Sequence, residues 1–208
     1  MRDTDLTVKN LKVGTRVFFG RCKNIFNGNI QEISWLKADT GSTFISEFIP
    51  QMYGNVRYRC VGSVLNSLDE FVDAGCYAVP GFLSCFREDE RNLIESLGIP
   101  SLSSLKGSYA YPLFKRKGVR AKCGGSPADY WVSGALDTDT VGTYIAGNGM
   151  ARRAIYAGCG LRPVCVLSQN AKVALNDDGN LAVVPYEWSR EPVGLLSETD
   201  LFDFLGLR

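Results

Sequence analysis

Residues 130–167 read YWVSGALDTDTVGTYIAGNGMARRAIYAGCGLRPVCVL, and this stretch carries most of the information about the fold. It opens on an aromatic pair, runs through polar and glycine-rich residues, and ends on GLRP before an apolar run. Trp131 has a large apolar surface and a single N–H to satisfy. Arg162 has five N–H donors, enough to bind several loop carbonyls at once. These properties suit a buried Trp131, and they suit a structural clasp at Arg162, with anion or ligand capture as the alternative role of Arg162.

Short strands are predicted throughout the second half of the chain. Apolar and alternating segments indicate strands at 130–133, 141–146, 154–157, 161–167 and 172–175. The run NDDGN at 176–180 separates KVAL from LAVV and predicts a hairpin turn. Residues 134–153 are expected to form a displayed hairpin and loop, with Gly147, Asn148 and Gly149 as the turn.

The first half of the chain predicts a hairpin or meander followed by helices. LKVGTRVFF at 11–19 indicates a turn and a strand, and ISWLKA at 33–38 and FIS at 44–46 indicate two more strands. The core candidates here are Val17, Phe19, Ile33 and Trp35. Apolar residues at helical spacing predict helices at 63–74 and 83–97, and residues 101–129 indicate a long surface excursion. A short last helix is predicted from Ser197.

These elements predict an α+β domain over residues 1–185, with an antiparallel sheet, two helices and long loops. Residues 186–208 form a C-terminal extension that is rich in apolar groups. Two roles remain open for it, since apolar side chains at a chain end either cover the domain's own core or dock on a neighbouring subunit.

Composition narrows the range of partners. The 208 residues are 45% hydrophobic and 22% charged, with a net charge of +1, so no long-range attraction to nucleic acid or anionic lipid is expected. No segment approaches the ~20 apolar residues that a membrane helix needs, and the polar N-terminus lacks an apolar signal core. We expect no membrane insertion. The basic run KRK at 115–117, with Arg120 and Lys122 nearby, is expected to be a solvated loop.

The chain contains seven cysteines and no histidine. Without histidine, an internal Ser-His-Asp triad, a Cys-His dyad and a His-Glu-x-x-His metal site are excluded. The cysteines show no Cys-x-x-Cys pair, so we expect reduced, mostly buried thiols and no metal, no cofactor and no catalytic residue. A hydrolase with two carboxylates stays open as an alternative. Its candidate acids are Asp69, Glu70, Glu88, Asp89, Glu90, Asp137 and Asp139.

The order VGTRVFFG, ISWL, YWVSG and GCGLRPVCVLS resembles an uncharacterised domain family of bacterial and phage proteins. Its members carry a Tyr-Trp-Leu-Arg-Ser-Pro-like motif and, later, a Gly-Val-Arg-Pro-like strand. Tyr130, Trp131 and Ser133 match the first motif, although Val132 and Gly134 depart from it. Gly160, Leu161, Arg162 and Pro163 match the second motif. Gly14 and Trp35 fit the opening hairpin of the family, and the resemblance extends from about residue 11 to residue 175.

The resemblance implies a fold similar to the C-type-lectin-like and sulfatase-modifying-factor-like folds. In that fold the arginine of the late strand supports the loops and the tryptophan packs inside. Catalysis is not implied, because sulfatase-modifying enzymes use a specific cysteine pair that Cys159 and Cys165 do not match.

The family's frequent phage context favours a non-enzymatic virion module: a minor structural, decoration or receptor-binding protein made in the host cytoplasm. Its expected partners are other virion proteins or a second copy of the chain. The alternative is a cytoplasmic carbohydrate- or surface-binding module without a virion role, and a host surface glycan is a further candidate ligand. The loop residues that could bind such a ligand are Tyr130, Asp137, Asp139, Tyr144 and Asn148.

Overall fold

The computed structural model describes residues 6–24, 27–57, 71–74, 77–106, 113, 119–133, 142–154 and 158–184. The strands in these residues are β1 (Arg16–Lys23), β2 (Ile30–Lys37), β3 (Thr43–Ser46), β4 (Val56–Arg57), β5 (Phe71–Ala74), β6 (Tyr77–Pro80), β7 (Ile94–Gly98), β8 (Ala121–Cys123), β9 (Ser126–Ala128), β10 (Tyr130–Val132), β11 (Gly142–Ile145), β12 (Ala151–Ala154), β13 (Gly158–Cys159), β14 (Val164–Leu167), β15 (Lys172–Leu175) and β16 (Leu181–Val184). Two short α-helices are described, α1 (Glu88–Arg91) and α2 (Leu102–Lys106), with 3-10 turns at Val8–Asn10, Gln51–Tyr53 and Phe82–Cys85. The predicted α+β class is confirmed at this level.

The largest element is a seven-stranded sheet with the order β15-β16-β1-β2-β3-β14-β7. Its neighbours are antiparallel except β1 and β16, which are parallel. The expectation of a purely antiparallel sheet is therefore wrong for this pair. The reason is the predicted turn at 176–180, which reverses the chain after β15, so that β16 lies inside the sheet and runs in the direction of β1.

The opening hairpin forms as predicted and supplies much of the core. Val17, Phe19, Ile33 and Trp35 are all buried, because alternate residues of β1 and β2 point to the same face. The Trp35 indole N–H donates a 2.8 Å hydrogen bond to the Phe19 carbonyl, so the ring's one polar atom is satisfied inside the core.

The helix predicted at 83–97 is wrong. Phe82–Cys85 is a 3-10 turn, α1 covers a single turn, and Ile94–Gly98 is strand β7. β7 is the outer strand of the large sheet and pairs with β14. Its backbone hydrogen bonds to β14 stabilise the strand more than the helical spacing of its apolar residues stabilises a helix. Of the helix predicted at 63–74, residues 71–74 form β5, paired with β6, and the remainder lies outside the described residues.

The remaining boundaries differ in smaller ways. Residues 101–129, expected to be a surface excursion, contain α2 and the β8–β9 hairpin, and Leu105 and Ala121 are buried. The strand predicted at 154–157 lies earlier, as β12, and residues 155–157 are outside the described part. The final helix predicted from Ser197 and the extension at 186–208 are outside it as well.

A disulfide joins Cys22 in β1 to Cys85 in the 3-10 turn, with their Cα atoms 4.6 Å apart. The expectation that all the thiols are reduced is wrong for this pair. The two cysteines are 63 residues apart in the sequence, so no local pattern predicts that they pair. They meet only because the fold places the 3-10 turn next to β1. Cys123, Cys159 and Cys165 are free.

A smaller antiparallel sheet, β10-β11-β12, lies between two hydrophobic clusters. Trp131 belongs to the first cluster, with Trp35 and the aromatic residues around it. Tyr130 and Val132 belong to the second cluster, with Ile145. Strand β10 is therefore buried on both faces, which explains why YWV carries no polar side-chain group apart from the tyrosine hydroxyl and the indole N–H.

No helix within the described ranges combines the length and the apolar character needed to cross a membrane.

Candidate functional site

Arg162 forms the centre of a buried clasp, defined here as Arg162, Tyr130 and the carbonyls of Ser46 and Val119. The Arg162 side chain is 1% exposed. Its Nε donates to the Ser46 carbonyl at 2.9 Å, and Nη1 lies 3.5 Å from both the Val119 carbonyl and the Tyr130 hydroxyl. The Tyr130 hydroxyl itself donates to the Val119 carbonyl. The clasp joins the end of β3, the segment before β8, β10 and the segment before β14.

The Arg162 guanidinium also lies over the Tyr130 ring, 5.3 Å from its centroid, in a cation–π contact. Burial lowers the pKa of Arg162, whereas Tyr130 and Glu47 raise it. Burial raises the pKa of Tyr130, because it disfavours the charged form of the phenol as well, and Arg162 opposes that shift. Ser46 Oγ and Glu47 Oε2 are buried without a hydrogen-bond partner in the described structure, whereas Glu47 Oε1 accepts from Arg16.

The structural residues of the two motifs are brought together at β10. Trp131 is fully buried, its ring 6.0 Å from that of Tyr144 in an edge-to-face contact, and its backbone N–H donates to the Gly160 carbonyl. Ser133 donates through its N–H to Pro100 and accepts from the Leu102 N–H. One long edge of the small sheet is therefore covered by backbone hydrogen bonds, and the prediction that Trp131 packs inside is confirmed.

Gly160 is required by close packing. A Cβ placed there would lie 2.7 Å from Ile49 Cδ1 and 3.2 Å from the Asp129 carbonyl. Pro163 directly precedes the first residue of β14, and its carbonyl accepts from the Ser46 N–H. The GLRP motif thus lets the chain pass close to β10 at Gly160, and the chain then continues directly into β14 of the large sheet.

The opposite edge of the small sheet is exposed. Strands β11 and β12 form a hairpin whose turn is closed by hydrogen bonds from Ala146 N–H to the Met150 carbonyl and from Gly149 N–H to the Ala146 carbonyl. Gly149 has a φ of +85°, which explains the glycine, and the Asn148 side chain accepts from the Met150 N–H. The predicted turn at 147–149 is confirmed. Met150 is 58% exposed beside it.

Three arginines line this exposed end: Arg120, Arg152 and Arg153. Arg120 Cγ lies 3.5 Å from the position that a Cβ would take on Gly149, and Arg152 and Arg153 are exposed on β12. None of the three makes a hydrogen bond or an ion pair with another residue in the described ranges. The other arginine side chains that the structure describes all have such a partner: Arg16, Arg21, Arg87, Arg91 and Arg162.

The three described residues among those predicted to bind a ligand do not form one site. Tyr130 is fully buried in the clasp, so the proposal that it is a displayed contact is corrected: its hydroxyl is used inside the protein. Tyr144 is half-buried against Trp131, and Asn148 is exposed at the turn. Asp137 and Asp139 lie outside the described residues.

The acids considered for a hydrolase have structural contacts where they are described. Asp89 and Glu90 form ion pairs with Arg87, and Glu90 also accepts from the backbone N–H groups of Arg87 and Gly20. Glu88 is exposed in the same helical turn. Asp69 and Glu70, like the two aspartates of the loop, are outside the described part.

The free thiols lie in surroundings that suppress their ionisation. Burial raises the pKa of Cys159 to about 12, with a further contribution from Asp129, and burial raises the pKa of Cys123 and Cys165 as well. A thiol that stays protonated at neutral pH is a poor nucleophile and a poor metal ligand. Across the ranges that the structure covers, no group of three or more acidic, cysteine or histidine residues could hold a metal ion.

Sequence reasoning missed a second buried cation. Lys37 is fully buried, donates to the carbonyls of Val8 and Lys9, and lies 5.9 Å from the Phe44 ring centroid. Burial lowers the pKa of Lys37, and Asp39 opposes that shift. The unpaired arginines of β12 were also missed, although the adjacent pair RR directly after a predicted turn was a visible signal.

The chain matches no protein-family model, no curated protein and no solved structure.

Proposed function

We propose that this chain is a non-enzymatic module of a phage virion, a minor structural, decoration or receptor-binding protein, which displays loops on a C-type-lectin-like scaffold. The observation that carries the proposal is the contrast between the clasp and the hairpin. Arg162 joins four segments through contacts that leave its guanidinium inaccessible, whereas on the same small sheet the turn and strand β12 of the β11–β12 hairpin are exposed to solvent. A rigid base with a displayed hairpin is the arrangement of a docking module.

The motif residues support the scaffold part of the proposal. The tryptophan of the first motif is buried beside the opening strands, and the arginine of the second motif supports the loops around β10. These are the roles that the family resemblance implies for them.

The chemistry of the described groups favours docking over catalysis. The groups with shifted pKa values are buried residues and the partly buried Cys123, and all these shifts come first from desolvation. Cys159 and Cys165 are buried thiols, and Arg162 is held by carbonyls. A catalytic group must reach its substrate, and these groups do not.

The first test is the mass of the full chain in solution by light scattering, combined with binding to an array of bacterial surface glycans. A virion module is expected to form a closed oligomer, because most soluble assemblies are symmetric homo-oligomers. An oligomer supports the proposal. A monomer that binds a glycan would replace it with the carbohydrate-binding alternative, and a monomer that binds none would contradict both.

A chain shortened to residues 1–185 extends this test to the C-terminal extension. If the full chain is an oligomer and the shortened chain is a folded monomer, the extension forms the subunit interface. If the shortened chain unfolds, the extension covers the domain's own core, and the interface must be sought elsewhere.

A further inference from the structure

The two long edges of the small sheet differ in how they are used. On the β10 edge, backbone groups bond to the Pro100 carbonyl, the Leu102 N–H and the Gly160 carbonyl. On the β12 edge, Ala151–Ala154 pairs with β11 on its inner side, and no strand within the described residues pairs with its outer side. An unpaired edge offers a row of N–H and C=O groups to another extended chain.

The hairpin register identifies which backbone groups of β12 face outward. The turn closes at the pair Ala146 and Met150, and in an antiparallel pair the hydrogen-bonded and non-hydrogen-bonded positions alternate. The backbone N–H and C=O groups of Arg152 therefore point toward β11. Those of Ala151 and Arg153 point in the opposite direction, away from β11. This outer edge of β12 is called the open edge below.

Positive charge lines the open edge on both faces of the sheet. Arg152 lies opposite Tyr144, and Arg153 lies opposite Thr143, so the two arginine side chains leave the strand in opposite directions. Arg120 adds a third cation at the turn, where its side chain packs against Gly149. Because none of the three has an acidic partner in the described structure, their charge is available to a partner molecule.

We propose that the open edge binds an extended acidic segment of a partner protein as an additional strand beside β12. The partner's backbone would bond to Ala151 and Arg153, and two adjacent carboxylates, which point to opposite faces of an extended strand, would meet Arg152 and Arg153. This proposal deepens the proposed virion function and rests on it for the identity of the partner as another virion protein.

The probe is a labelled peptide, Thr-Val-Glu-Glu-Val-Thr, titrated into the full chain while the backbone amides are followed by NMR. Shifts are expected at the amides of β12 and of the adjoining turn. The matched peptide Thr-Val-Lys-Lys-Val-Thr is expected to produce none. Absence of shifts with the glutamate peptide, or equal shifts with the two peptides, would overturn the proposal.

Charge reversal on the protein gives the second test. The double variant R152E/R153E is expected to weaken binding of the glutamate peptide by about tenfold or more and to bind the lysine peptide instead. The control is R21E/K23E, which makes the same change of charge at exposed positions of β1. Equal loss in the two double variants would show a general effect of net charge and would overturn the proposal.

The backbone contribution is tested separately with Ala151→Pro, which removes an outward N–H without changing any charge. Ala151→Gly retains that N–H and is the matched control. We expect the proline variant to bind at least about tenfold more weakly than the glycine variant. A folded proline variant that binds like the glycine variant would exclude strand addition; if the proline variant does not fold, the charge reversal decides.

An anionic polysaccharide is the competing occupant, and a heparin fragment is its probe. If heparin shifts the β12 amides and the glutamate peptide does not, the open edge binds anionic sugar and the peptide proposal is wrong. These results are independent of the mass measurement. If the chain is a monomer that binds the peptide, the open-edge proposal stands and the virion proposal is wrong. If the chain is an oligomer that does not bind the peptide, the virion proposal stands and the open-edge proposal is wrong.

Discussion

The clasp and the open edge use the same residue type in opposite ways. Arg162 is surrounded by carbonyl and hydroxyl acceptors and a tyrosine ring, and its contacts join four segments of the chain. Arg152 and Arg153 are exposed and have no partner among the residues described. A buried cation is stabilising only as long as its acceptors stay in place, whereas an exposed one contributes little to folding and remains available for binding. Burial, rather than residue type, therefore separates the arginine that joins segments of the fold from the arginines that stay available to a partner.

The largest difference in stability is expected between variants that each remove one arginine, one from the clasp and one from the open edge. Arg162→Met is expected to lower the free energy of unfolding by about 3–5 kcal/mol, because the clasp carbonyls lose their donor and the Glu47 carboxylate loses a nearby cation. Arg153→Met is expected to change it by less than about 0.5 kcal/mol. Urea denaturation of the two variants measures both values, and similar losses would show that the clasp is not special.

Removing the disulfide should affect the large sheet and leave the open edge intact. Replacing Cys22 and Cys85 by alanine is expected to cost about 2–4 kcal/mol, because a cross-link over 63 residues restricts the unfolded chain. Urea denaturation of the variant, and of the unmodified chain with and without reductant, checks this value. Cys123→Ala is the single-thiol control. If reductant leaves the unmodified chain as stable as before, the pair does not act as a cross-link.

Two tyrosines of the small sheet allow a finer comparison. Tyr130→Phe removes the hydroxyl that donates to Val119 and lies near Arg162, so we expect a loss of about 1–2 kcal/mol. Tyr144→Phe retains the ring that packs on Trp131, and Tyr144 is half-buried, so we expect a change below about 0.5 kcal/mol. Thermal and urea unfolding of the pair measures the difference, and equal effects would mean that the Tyr130 hydroxyl adds nothing to the clasp.

The smallest expected effect is a difference in thiol reactivity. Only the thiolate reacts with iodoacetamide, and burial raises the pKa of Cys159 to about 12. At pH 8, Cys159 should therefore stay unmodified in the folded chain, while the less buried Cys123 reacts slowly. Alkylation of Cys159 should increase as the pH rises toward its pKa, or at once when urea unfolds the chain. Peptide mass mapping checks this order, and equal rates for the two thiols at pH 8 would contradict it.

Much of the strand pattern could be predicted because it depends on local signals. The alternation in β1 and β2 specifies which side chains are buried, and the glycine at 149 and the asparagines at 176 and 180 specify their turns. The stretch at 83–97 could not be predicted in this way, since its apolar spacing suits either a helix or a strand, and pairing with β14 decides between them.

The candidate site shows the same division. The family resemblance implied a buried Trp131 and a loop-supporting Arg162, and the chemistry of the two side chains favoured a clasp at Arg162 over its alternative, ligand capture. Only the tertiary structure decided that Tyr130 is buried, that Cys22 meets Cys85 and that Arg152 and Arg153 lie on an open edge. The physical reason is that burial, cross-links and free edges depend on which distant segments become neighbours, and no local pattern of residues specifies that.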